Sequence, residues 1–125
     1  MSPAREELIS DLNRSQERLE RLRRTLARIE RDIDHLRGRQ DILQEEYELI
    51  TRRLFAPVDD FTTERERRQF LRSRRETARQ QRRAIRKLRR LAFVQIPNLM
   101  VVRGDILVRI AHQEYVKKNI ELRLK

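Results

Sequence analysis

From Leu8 to Leu54 apolar residues return at alternating steps of four and three without a slip. One series is Leu8, Ser15, Leu22, Ile29, Leu36, Leu43 and Ile50; the other is Leu12, Leu19, Leu26, Ile33, Gln40, Tyr47 and Leu54. Only Ser15 and Gln40 interrupt it. A mean spacing of 3.5 residues keeps a narrow stripe on one side of a helix, and the flanking positions hold mostly Arg, Asp, Glu, Gln and Thr. The pattern therefore predicts a coiled-coil helix over residues 3–55, with the twelve apolar positions as its oligomerisation seam. Ser2 can cap this helix, Pro3 suits its first turn, and Glu6 and Glu7 complement its dipole. Pro57 is expected to end it. Across a parallel seam Asp32 and Arg37 would attract while Arg18 and Arg23 would repel, so the partner is expected to be a second copy or a different helix, in either orientation.

The stretch 56–62 reads as a connecting turn. Thr63 followed by Glu66 fits a capping box, which predicts a second helix over 63–92. Its best apolar stripe is Phe70, Arg74, Thr77, Gln81, Ile85, Leu88 and Ala92. This stripe can fold back on the first helix from Ala84 onward. A helix of that length reaches about 45 Å, too short to cover the whole seam, so its N-terminal part is expected to pair with another chain.

After Phe93 the composition changes. FVQI, LMVVR and ILVRI are apolar and β-branched, Gly104-Asp105 suits a two-residue hairpin turn, and NIELRL alternates. The fold class expected is mainly α, a long coiled-coil helix and a second Arg-rich helix followed by a small C-terminal antiparallel β element over 93–125. Such a sheet has open edges, and β-augmentation through residues 99–124 is expected as a second assembly contact. The run Val101-Val102-Arg103-Gly104-Asp105-Ile106-Leu107-Val108 resembles the second Sm motif of Sm-like RNA-binding proteins, whose Arg-Gly hairpin loop contacts RNA. The likeness covers eight residues. The strand pair that should precede it is replaced here by helical sequence, so it implies a hairpin and not an intact Sm fold.

Charge changes the picture most. The chain is +11, and all of the excess lies between Arg65 and Arg90. There thirteen cations face two carboxylates, Glu66 and Glu76: Arg65, Arg67, Arg68, Arg72, Arg74, Arg75, Arg79, Arg82, Arg83, Arg86, Lys87, Arg89 and Arg90. The remaining residues carry eighteen basic and eighteen acidic side chains. Arginines four apart, such as Arg68 and Arg72 or Arg79 and Arg83, repel by a few tenths of a kcal/mol per pair in an isolated helix. Phosphates relieve that repulsion, and release of their condensed counterions drives binding. The thirteen are the candidate nucleic-acid-binding residues. The order of basic segment and heptads is the reverse of a bZIP protein, and Phe70 is the lone aromatic of the run, so neither base readout nor a stacking platform is expected.

Candidate chemistry is sparse. There is no cysteine, P-loop, dinucleotide fingerprint or nucleophile elbow. His35 and His112 have no second ligand at metal spacing. No enzyme activity, cofactor or metal is expected, and no small-molecule substrate. The N-terminus lacks an apolar signal segment and uninterrupted apolar runs are short, which predicts an intracellular location, cytoplasmic or nuclear, without a membrane partner. Two functions fit: an oligomeric protein binding RNA or DNA through arginine–phosphate contacts with little sequence preference, or a scaffolding subunit whose arginines meet acidic protein surfaces.

Overall fold

The computed structural model describes residues 2–56, 60–61 and 63–125. Their elements are α1 (Pro3–Leu54), α2 (Glu64–Arg90), a π-helical segment (Leu91–Gln95) and α3 (Ile96–Leu124). Contacts divide the chain into two units, one of Met1–Asp34 with Asn98–Lys125 and one of His35–Pro97.

In the first unit, the N-terminal part of α1 lies antiparallel to α3. The direction follows from three cross-helix contacts: Arg5 Nη1 to the Leu124 carbonyl at 3.4 Å, Ser15 Oγ to the Gln113 carbonyl at 3.4 Å, and Arg103 Nε to Glu30 Oε1 at 3.3 Å. The core is Leu19, Ile29, Ile33, Ile106 and Ile110, with Leu22, Leu26 and Leu99 packed against it. At the start of α1 the Arg5 amide donates to Ser2 Oγ at 3.2 Å and the Glu6 amide to the Ser2 carbonyl at 3.1 Å. Ser2 thus fills the capping role its sequence position indicated.

In the second unit, the C-terminal part of α1 is antiparallel to α2. Gln81 Nε2 donates to Thr51 Oγ1 at 3.1 Å, while Leu36 and Leu43 share a groove with Leu91 and Gln95. The inward side chains of α2 are Phe70, Thr77, Ala78, Gln81, Ala84, Ile85 and Leu88. Thr63, in extended backbone, caps α2 by accepting from the Glu66 amide at 3.2 Å. The end of α1 is closed by the Phe55 amide donating to the Thr51 carbonyl at 3.1 Å. Pro57, expected to stop the helix, lies outside the described residues.

All fourteen heptad positions of α1 are buried or half-buried, and nearly every other side chain of that helix is exposed. The seam is therefore occupied, and in each unit its occupant belongs to the same chain. The expectation that its N-terminal part waits for another polypeptide rested on ending the second helix at residue 92. Instead helical backbone continues from Glu64 to Leu124.

That continuation overturns the expected β element. No strand occurs among the described residues, and residues 93–125 are helical apart from Lys125. Gly104 does not take the positive φ that a II′ turn requires. The alternation read in NIELRL fails as well, since Ile120 is 9% exposed and Leu122 is 56% exposed. Burial instead returns at Leu99, Arg103, Ile106, Ile110, Gln113, Ile120 and Leu124, which is helical spacing. Without a strand edge there is nothing to carry β-augmentation through 99–124. The resemblance to the second Sm motif likewise falls on helix.

The π-helical segment has a local cause. The Ile96 amide donates to the Leu91 carbonyl, five residues back. Pro97 comes next; it offers no N–H, and its ring would press on the carbonyl four residues earlier in a regular α-helix. A π turn absorbs that change of register while keeping the chain helical.

The Glu64–Leu124 helix contains an eighteen-residue stretch apolar enough to cross a membrane by length and composition, and only 11% of it is buried.

Candidate nucleic-acid interface

Each of the thirteen cations from Arg65 to Arg90 is on α2, and each is exposed. The helix starts where it does because Thr63 caps it and Glu64 and Glu66 complement its N-terminus. Its side toward α1 carries Phe70, Thr77, Ala78, Gln81, Ala84, Ile85 and Leu88, and the cations lie outside that stripe. Only two of the cations have a carboxylate partner in the described structure. Arg68 Nε lies 3.7 Å from Glu64 and Arg79 Nη1 lies 3.5 Å from Glu76, all four side chains being more than half exposed. Such solvated i,i+3 and i,i+4 pairs contribute a few tenths of a kcal/mol. The other eleven have no ion pair among the described residues.

Packing within the second unit adds cations that the sequence reading did not assign. Arg39 of α1 shares a groove of about 260 Å³ with Lys87 and Arg90, floored by Leu36, Leu43 and Leu91. Arg53, in the last turn of α1, joins Arg74 around a second groove of about 480 Å³ that also includes Phe70, Ser73, Glu76 and Thr77. Along the chain, Arg39 and Arg53 sit in mixed-charge sequence, where nothing distinguishes them from other surface arginines. Only the antiparallel packing brings them beside α2. Both grooves set arginine side chains beside apolar ones, and the second also holds the Glu76 carboxylate.

The first unit has a basic groove of its own. Arg18 and Arg21 from α1 and Arg109 and His112 from α3 surround Leu22, Val108 and Gln113 in a cleft of about 700 Å³. Other cations of this unit are engaged: Arg23 meets Glu114 at 3.2 Å and Arg103 meets Glu30 at 3.3 Å.

The two histidines are exposed, and among the described residues no group of His, Asp and Glu is arranged to hold a metal ion. No buried side-chain polar atom among them lacks a partner. The α1 seam residues from Leu8 to Leu54 form the packed side of each unit, and Leu36, Leu43 and Leu54 also line grooves beside Lys87, Arg90 and Arg74. No family model matches the chain, and no characterised protein or solved structure matches it either.

Proposed function

We propose that this chain is a non-enzymatic nucleic-acid-binding protein, engaging RNA or DNA through the phosphate backbone along α2 with little reading of base sequence. The observation that carries this is the charge left uncompensated: eleven of thirteen exposed cations on one 27-residue helix have no carboxylate within ion-pair distance among the described residues. Holding those charges on one helix costs repulsion energy, which a polyanion relieves while releasing its own condensed counterions. Arg39 and Arg53 extend the same surface onto the neighbouring helix.

The test is a mobility-shift titration of random-sequence duplex and single strands across a salt series. Binding should weaken steeply between about 50 and 200 mM salt. Changing Arg79, Arg82, Arg83 and Arg86 together to Gln should weaken binding to every sequence alike. It should also flatten the dependence of log K on log salt by roughly 3 to 4 in slope for duplex DNA. Absence of any shift at about 50 mM salt with micromolar protein would overturn the proposal and hand the arginines to acidic protein surfaces.

A further inference from the structure

On α3 a second, exposed heptad series runs through the first unit outside its core, with Val108 also at the edge of the groove shared with Arg18, Arg21 and Leu22 of α1. Val101, Val108, Tyr115 and Leu122 recur every seven residues and are 66%, 70%, 65% and 56% exposed. Gly104, Ala111 and Lys118 fall between them, giving the alternating three-four spacing by which one helix packs against another. Met100 and Leu107 widen the strip and are also exposed. So an apolar seam with helical spacing stands in solvent on a helix that already contributes to a core.

We infer that this seam pairs with the same seam of a second copy, the two α3 helices antiparallel about a two-fold axis. Three observations select that occupant. The first is fit of size. Antiparallel pairing places each every-seventh residue opposite an intermediate one, so Tyr115 lies over Gly104 of the second copy and Val108 over Ala111. A Cβ built on Gly104 meets nothing within 4 Å, which leaves room for the tyrosine ring. Parallel pairing would instead set Tyr115 on Tyr115, Gly104 on Gly104, and two Lys118 ammonium groups against each other.

The second is hydrogen bonding at the flank. In the antiparallel register Asp105 lies beside His112 of the second copy, where the imidazole N–H can donate to the carboxylate, and neither has an ion-pair partner within its own chain among the described residues. Lys118 falls opposite Val101 at the edge, where its stem can cover apolar surface while the ammonium stays in water. The third is area. Weighted by their exposed fractions, Met100, Val101, Leu107, Val108, Tyr115 and Leu122 offer on the order of 500 Å² of apolar surface per copy. Doubled, that is about 1,000 Å², the total a specific interface needs. The contact is isologous, so it closes at two copies. It does not depend on the nucleic-acid reading, although it would double the number of α2 helices per particle and raise avidity.

The experiment uses the full chain. Sedimentation equilibrium should give a two-chain mass at micromolar concentration, and Gly104→Gln should weaken association at least tenfold. Because the site is open, that variant should keep its helical circular dichroism and melt no lower than the parent. Orientation is read independently, since the natural chain has no cysteine. An equimolar mixture of the Gly104→Cys and Tyr115→Cys variants, oxidised gently, should give mainly the mixed 104–115 disulfide. Predominant 104–104 and 115–115 products would overturn the antiparallel pairing. A one-chain mass for the parent, or an unchanged mass for Gly104→Gln, would overturn the self-association. A one-chain mass together with binding to phosphatidylcholine vesicles would overturn it in favour of a lipid surface.

Discussion

Ser15 occupies a heptad position of α1 and is only 3% exposed, which is unusual for a hydroxyl among leucines and isoleucines. Its hydrogen is shared between the carbonyl and the side-chain oxygen of Gln113, each 3.4 Å away. Both bonds are long, so they contribute less than a well-formed one. Ser15→Ala should therefore cost no more than about 1 kcal/mol. Leu19, one turn later, is 1% exposed within the same core. Its replacement by Ala removes packed methyl groups and leaves a cavity, and should cost about 2–5 kcal/mol. Urea unfolding of the two variants, followed by circular dichroism, checks the contrast. In the other unit Thr63 holds the first turn of α2, and Thr63→Ala should cost about 1 kcal/mol, seen as faster amide exchange at Glu64–Arg67. Each of these two polar residues stood at a legible position in the sequence. Ser15 could be placed on the seam, but not its partner, because Gln113 is 98 residues away and was expected in a β element.

At the level of elements, α1 and α3 were read with very different success for one reason. In α1 the residues that set the heptad are mostly leucines, which favour helix, so period and propensity agree. In α3 the same period is carried by isoleucine and overlaid with valines, whose branching points toward strand. The buried positions Leu99, Ile106, Ile110 and Ile120 already show helical spacing. The exposed valines between them masked it. Since Ile29 meets Ile106 and Ile110 inside one chain's core, Ile29→Asp should act on folding and not merely on oligomer mass. It should destabilise by on the order of 4 kcal/mol, with amide protection lost first over 3–34 and 98–125 in hydrogen exchange. A fully protected core in a dissociated particle would instead show that the seam is an interface between chains.

For the whole molecule, the distribution of charge was legible before any fold was known, because a block of thirteen cations against two carboxylates needs no tertiary information to be recognised. The heptad of α1 was legible too: a strict 3.5-residue period leaves a helix only one face to bury, whatever covers it. What covers it was decided by tertiary structure. Helix propensities differ by no more than about 0.7 kcal/mol among ordinary residues, whereas burying an isoleucine side chain yields about 1.5–3 kcal/mol. Packing Ile106, Ile110 and Ile120 therefore outweighs the strand preference of their neighbours and turns 96–124 into helix. It also leaves Val101, Val108 and Tyr115 exposed, while in the other unit the packing of α1 on α2 draws Arg39 and Arg53 beside α2. Neither outcome has a local signal, since both depend on residues separated by tens of positions meeting across a core.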